Sequence, residues 1–201
     1  MTRRIVVVSA GLGQPSSSRL LGDRLAAAAA RALRAEGEQV EVDVVELREL
    51  AVDLANQLVT GFPGARLAAV LDRVAAADAV VAVTPVFNAS YSGLFKMFVD
   101  ALSVGSLDGV PVLLGATGGS ARHSLVLEHA LRPLFAYLRA TTTSTGVFAA
   151  TEDWGSPGEL DTRVDRAGRE LAVLVAGLAR PAAVDPYDVS AVSARFSALS
   201  A

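Results

Sequence analysis

Cysteine is absent from the 201-residue sequence, which excludes disulfides and thiolate metal sites. Histidine is scarce: His123 and His129 are the only two, too few for a histidine-rich metal site. Lysine occurs once, at Lys96, so the basic residues are almost all arginine, a bias we assign to genome composition rather than to function. No block of Lys and Arg interrupts the chain, and a formal net charge of -3 gives no general attraction to nucleic acid or to an anionic membrane. No run is long and apolar enough to span a membrane, and Arg3-Arg4 lead straight into a strand pattern without the apolar core of a secretion signal. The expected location is therefore cytoplasmic. Proline and glycine are scattered and mark no linker, so a chain with 52% apolar residues suits one domain with a sizeable core. That domain is expected over residues 1–180. Residues 181–201 form a tail, with Tyr187 and Phe196 among small polar residues, too little for a core of its own.

What is present is an alternation of strand and helix patterns. The run at 5–8 is β-branched and uncharged, as in a strand buried on both faces of a parallel sheet. Residues 16–36, rich in Ala, Leu and Arg, predict a helix that gives way at Gly37. Residues 40–47 alternate apolar and acidic side chains, the pattern of a half-exposed edge strand. The pattern weakens over 48–64, where Thr60-Gly-Phe-Pro-Gly64 reads as loop. Further helices are expected at 65–77, 93–104, 123–139 and 159–178, and further strands at 79–84, 110–116 and 141–148. This order implies right-handed βαβ units in an open, doubly wound sheet.

Two strand orders compete. A dinucleotide-binding Rossmann fold wants a third glycine and an acid about 20 residues beyond its fingerprint. Here Gly11-x-Gly13-x-x-Ser16 lacks that glycine, and Glu46 lies further downstream. The flavodoxin-like order 2-1-3-4-5 instead puts a flavin at the carboxyl ends of strands 1 and 3, where the informative loops of this chain lie. The expected fold is α/β, a three-layer αβα arrangement around a five-stranded parallel sheet.

The first of those loops is Ser9-Ala-Gly-Leu-Gly-Gln-Pro-Ser-Ser-Ser-Arg19. Gly11 and Gly13 permit a sharp turn, and Pro15 fixes φ before the helix. Ser16, Ser17 and Ser18 set hydroxyls beside free N–H groups at the positive end of a helix dipole, where a phosphate fits. One serine there would be a simple cap; three followed by Arg19 exceed what capping needs. The second loop runs from Thr84-Pro-Val-Phe-Asn-Ala-Ser-Tyr-Ser-Gly93 into Lys96 and Asp100. Its Phe87 and Tyr91 suit either the stacking of a planar ring or ordinary packing. The third, Thr117-Gly-Gly-Ser-Ala-Arg-His123, puts small residues where bare N–H groups would face a ring's carbonyls.

In this order the three loops resemble the NADPH-dependent FMN reductase family. The first corresponds to its serine-rich phosphate loop, the second to its T-P-x-[YF]-x-x-S-Y-S-G-x-x-K-x-x-x-D segment, and the third to its T-G-G-[ST] turn. The likeness runs from the first strand to about Trp154. It implies that Ser9, Ser16, Ser17, Ser18 and Arg19 hold the FMN phosphate. Pro85, Val86, Phe87 and Asn88, with Thr117, Gly118, Gly119 and Ser120, would hold the isoalloxazine. In one respect the chain departs from the family: the loop arginine often precedes the last serine, whereas Arg19 follows it. The implied activity is hydride transfer from NADPH or NADH to FMN, with a monooxygenase as a partner that takes the reduced flavin. A flavin-retaining quinone or azo reductase and a flavodoxin-type electron carrier are the alternatives, although a carrier typically has a more acidic surface. A signalling receiver is excluded, because Ser9-Ala10 and Thr84 stand where it needs acids. The resemblance also implies a homodimer or a dimer of dimers with each flavin near a subunit boundary.

Hydride transfer needs stacking and exclusion of water more than an acid or base, so no catalytic side chain is nominated. Arg122 suits the 2′-phosphate of NADPH or plain solvation. Trp154 suits a flavin cap or a subunit contact. Pro133 lies inside the helical pattern at 123–139, where it removes the N–H that would pair with the carbonyl of His129. A kink or π-bulge near His129 is expected, placed at a subunit interface.

Overall fold

In a computed structural model, which describes residues 2–155 and 158–177, the uncharged apolar runs lie side by side as central strands. These are β1 (Thr2–Ser9), β3 (Ala79–Phe87) and β5 (Pro111–Gly118), flanked on one side by β2 (Gln39–Glu46) and on the other by β6 (Thr141–Thr142) and β7 (Val147–Ala150). A short β4 (Ser90–Tyr91) folds back antiparallel on β3. All other pairings are parallel, in the order β2-β1-β3-β5-β6 with β7 also on β5. With β6 and β7 as two pieces of one strand, this is the flavodoxin-like order 2-1-3-4-5. β2 is the partly exposed edge its alternation predicts.

The fifth strand is interrupted rather than continuous over 141–148. β6 pairs with Pro111 and Val112, β7 with the stretch from Gly115, and the chain between them loops out of register. Charged side chains satisfy the polar groups this frees. Arg132 donates to the carbonyls of Thr143 (2.9 Å) and Ser144 (3.1 Å), and Glu170 accepts from the backbone and hydroxyl of Thr145 (2.7 and 2.6 Å).

Each face of the sheet carries its own core. On one, α1 (Ser17–Ala35) and α6 (Glu159–Gly177) pack Leu21, Leu25 and Leu33 with Val164 and Leu171 against Ile5, Val81 and Leu113. The approach is close: a Cβ on Gly168 would lie 2.6 Å from that of Ala28, and one on Gly22 would lie 2.8 Å from Val7. The other face holds α2 (Ala51–Thr60), α3 (Ala65–Ala75), α4 (Gly93–Ala101) and α5 (Arg132–Tyr137) over Val6, Val80 and Leu114. α2 falls in the stretch where the sequence pattern weakens, and it buries Leu54 alone. Its Val52, Leu58 and Val59 share one half of the helix with Leu54, opposite Asp53, Asn56, Gln57 and Thr60, but stay exposed, so the apolar stripe is wider than the part that packs on the core. The segment 181–201 lies outside the described residues.

The helix expected at 123–139 is broken as Pro133 requires. A 3-10 turn (Ala121–His123) leads to a π-helical turn (Leu127–Leu131), and only then does α5 begin, with Pro133 in its first turn. Arg132 N–H donates to the carbonyl of Leu127, one residue further back than an α-helix allows, which widens the turn where the proline would otherwise crowd His129. His129 itself is exposed.

Candidate active site

The carboxyl ends of β1, β3, β5 and β7 enclose a cavity of about 310 Å³ beside the point where strand order reverses. Four walls form it: the loop after β1 with Ser16, Ser17 and Ser18; Pro85, Val86 and Phe87 at the end of β3; Thr117, Gly118 and Gly119 at the end of β5; and Ala149 of β7 with Thr151 and Trp154 just beyond it. A larger hollow of about 750 Å³ lies between α1 and α6, but alanines with a charged rim line it, and no motif residue reaches it. The smaller cavity is therefore the chemical one.

Its first wall is built by the start of α1. Ser16 is the N-cap, its hydroxyl accepting from Arg19 N–H at 3.2 Å, and the first helical bond runs from Leu20 N–H to Ser16 O at 3.0 Å. The N–H groups of Ser17 and Ser18 thus have no partner within the helix and stand at its positive end. The loop lies so close that a Cβ on Gly11 would sit 1.9 Å from Ser16 Oγ and 3.2 Å from Ser18 Cβ. Ser18, only 2% exposed, shares a 2.8 Å hydrogen bond with the hydroxyl of Thr117, which ties the first wall to the third.

Two residues grouped with this wall lie elsewhere. Ser9 is buried in β1, between Glu46 and Val83 of the neighbouring strands, and is not on the cavity wall. Arg19 also leaves the cavity: its Nε donates to both oxygens of Asp23 (2.8 and 3.0 Å) and its Nη1 to Glu46 (2.8 Å). The hydrogen bond to Asp23, then the charges of Asp23 and Glu46, raise its already high pKa. Glu46 also pairs with Arg48 at 2.9 Å, so the acid a dinucleotide fold would give to a ribose is already committed.

The second wall rests on a chain of hydrogen bonds. The buried Thr84 hydroxyl donates to Pro85 O (2.9 Å) and accepts from Ser92 N–H (3.0 Å); Ser92 Oγ accepts from Phe95 N–H (3.2 Å) and caps α4. The hairpin between β3 and β4 turns through Asn88 (φ 48°) and Ala89 (φ 69°), the left-handed pair of a tight two-residue turn. Asn88 thereby serves the turn and is not on the wall. Tyr91 packs on Phe95 with ring centres 6.1 Å apart, so it is a packing aromatic, whereas Phe87 stays at the cavity, 47% exposed. Lys96 and Asp100 pair with each other on α4 at 2.6 Å.

At the third wall a Cβ on Gly118 would meet Phe148 at 2.9 Å, whereas one on Gly119 would meet nothing within 4 Å. Ser120 turns away to accept from Arg122 N–H at 3.3 Å, capping the next turn. The fourth wall carries no sequence motif, and the lone tryptophan is its one signal. No titratable side chain lines the cavity among the described residues, and no cluster of His, Cys, Asp or Glu among them could hold a metal.

Known proteins give the same picture. Residues 3–155 match the family model described as NADPH-dependent FMN reductase. An FMN reductase (NADPH) of Pseudomonas aeruginosa is 36% identical over 178 residues, 87% of this chain and 93% of its own. An NADH-dependent FMN reductase, SfnF, of Pseudomonas putida is 40% identical over 74% of this chain and 78% of its own. Among solved structures, an oxidoreductase from Corynebacterium diphtheriae superposes with a TM-score of 0.85 at 47% identity, covering 89% of this chain and 99% of its own. An NADH:FMN oxidoreductase in its apo form shares the fold, with a TM-score of 0.71 at 23% identity, over 90% of this chain and 92% of its own. With its serine-capped helix, its hairpin and its glycine turn around one cavity, the chain belongs to the NADPH-dependent FMN reductase family.

Proposed function

We propose that this cavity takes FMN with its phosphate at the start of α1 and its isoalloxazine between the walls of β3 and β5, and that reduced nicotinamide passes hydride to that ring. The observation that carries this is the convergence of a serine-capped helix start and two small-residue turns on one cavity without a titratable lining. The residues fit the group. Gly11 lets the loop close on Ser16 and Ser18 where a Cβ would clash, and the helix start offers two N–H groups with no helical partner. Arg19 and Arg48 are balanced by Asp23 and Glu46, so hydroxyls and N–H groups hold the phosphate rather than a free cation. FMN supplies the hydride acceptor, N5 of its ring, when bound. Pro85, Val86 and Phe87 exclude water from one side, and the backbone at Gly118 and Gly119, both on the cavity wall, meets the polar edge of the ring. Orientation and dryness are the chain's contribution to the rate.

The protein is thus an NAD(P)H:FMN oxidoreductase, and we place it in the cytoplasm, where reduced nicotinamides are found. SfnF is named an NADH-dependent FMN reductase and the P. aeruginosa relative an NADPH one, so either reductant is open to this chain. We assign it the role of supplying reduced FMN to a partner monooxygenase. We also assign it a homodimer or dimer-of-dimers assembly. The exposed Val52, Leu58, Val59 and Phe62 around α2, and Tyr137 at the end of α5, support that assembly. Titrating the apoprotein with FMN while following NADPH and NADH oxidation, with and without a quinone, tests the whole reading. Oxidation that saturates with FMN and needs no quinone is expected; a protein that neither binds FMN nor oxidises nicotinamide overturns it.

A further inference from the structure

The fourth wall of the cavity carries no motif and holds none of the residues assigned above. Its large member is Trp154, the sole tryptophan, half-buried at the end of the 3-10 turn Thr151–Trp154. That turn is fixed at several points. Asp153 accepts from Ala150 N–H at 2.7 Å and pairs with Arg163 of α6, whose other amino group donates to Phe148 O at 2.6 Å. From the side of α1, the Arg24 guanidinium lies 5.3 Å from the centre of the indole ring, and it is itself paired with Asp161 of α6 at 3.3 Å. Trp154 lines the cavity and Arg24, among the described residues, does not. Because β5 lies between β3 and β7, Trp154 stands on the far side of the Thr117-Gly-Gly turn from Phe87.

We infer that Trp154 is a flavin-binding residue, and that the Arg24–Asp161 pair positions its ring. This rests on the flavin reading of the cavity given above. The chemistry restricts which part of the flavin it meets. An indole offers an aromatic face and one N–H and cannot balance a phosphate dianion, whereas the helix start supplies that end. Trp154 contacts the ring and ribityl portion, which riboflavin and FMN share.

A single indole makes the test direct. In ¹⁵N-labelled wild-type protein, Trp154 gives the only indole Nε1–H resonance, and the ring current of a bound flavin shifts it. Both FMN and riboflavin are expected to move that resonance. Trp154→Ala is expected to weaken binding of FMN and riboflavin by the same factor, roughly two- to tenfold from the worth of an aromatic pair, and Trp154→Phe to restore most of it. Arg24→Ala is expected to show a smaller loss for both flavins. An indole resonance that stays put while the flavin's own emission reports binding overturns the role of Trp154 and leaves the flavin site standing. A loss in Trp154→Ala confined to FMN also overturns it, since that marks mere support of the phosphate loop. Wild-type protein that leaves both flavins' emission unchanged overturns the flavin site itself. The resonance needs no variant, so a Trp154→Ala protein that does not fold leaves the test intact.

Discussion

Gly11→Ala probes the first wall with one added methyl. Its Cβ would sit 1.9 Å from Ser16 Oγ and 3.1 Å from Ser16 Cβ, so the serine must leave its rotamer or the loop must lift. Either way Ser16 Oγ loses its bond from Arg19 N–H, and with it the N-cap of α1. Loss of a cap costs about 1 kcal/mol of stability, which for a domain of this size is a fall of about 2–4 °C in Tm. The effect on binding is larger. A hydroxyl that no longer meets a charged phosphate forfeits about 1.5–3 kcal/mol, roughly a 10- to 150-fold rise in the Kd for FMN. Riboflavin lacks the phosphate, so its affinity should stay as it was. Fluorescence titration with both flavins, beside thermal unfolding, reads out all three quantities. Gly119→Ala is the counterpart: nothing lies within 4 Å of its Cβ, so Tm should hold while both flavins bind more weakly. Gly11→Ala protein that binds FMN like wild type, or that loses riboflavin equally, refutes the phosphate assignment.

Ser16→Ala combined with Ser18→Ala should also weaken FMN, by about 1.5–3 kcal/mol for each charge-assisted bond lost, and unchanged affinity would count against the site. Because Ser18 is bonded to Thr117, this variant should also lower Tm by more than the loss of a cap alone. The hydrogen bond from Arg132 holds the carboxyl of Glu128 below its ordinary range, so its stabilising effect is complete at neutral pH and fades as acid protonates it. Glu128→Gln should accordingly melt below wild type at pH 7, with the gap closing on acidification; a constant gap would show that charge is not the cause. Pro133→Ala returns the missing N–H and should raise Tm, while light scattering should show weaker self-association if the π turn lies at a subunit contact. A wild-type monomer at micromolar concentration would remove that contact altogether.

The sequence shows which strands are central because the runs 5–8, 79–84 and 110–116 are uncharged, a pattern a helix in water would not keep, and the loops at their carboxyl ends distinguish between the two possible orders. α2 is readable as well: Ala51, Val52, Leu54, Ala55, Leu58 and Val59 fall on one half of the helix opposite Asp53, Asn56, Gln57 and Thr60, although only Leu54 of them is buried. The sequence also shows the break before α5, since Pro133 acts through covalent geometry that no tertiary contact can undo. It does not show the interruption between β6 and β7, which depends on Arg132 and Glu170 reaching over from distant helices. β4 is hidden too: Ala89 takes a left-handed φ of 69°, which residue type alone would assign to glycine.

The same distinction runs through the site. Gly11, Ser16, Thr117 and Gly118 are legible because backbone demands dictate them, and such demands appear as residue types at fixed spacing. Arg19 misleads because a charged side chain reaches several ångströms and takes the partners the fold supplies. With Asp23 one turn along its own helix and Glu46 at the end of β2, two carboxylates claim the guanidinium. Arg48, also on Glu46, brings the cluster to two guanidiniums and two carboxylates. A phosphate held by N–H groups and hydroxyls is recognised by direction, and it gives up no buried ion pair on leaving. A reductase that hands its reduced flavin to another enzyme must release it in each cycle. On the placement proposed for FMN, the pairing of Arg19 with Asp23 and Glu46 leaves its guanidinium out of the phosphate contact. Asp23→Asn with Glu46→Gln, which would free that cation, should lengthen the residence time of FMN but not of riboflavin.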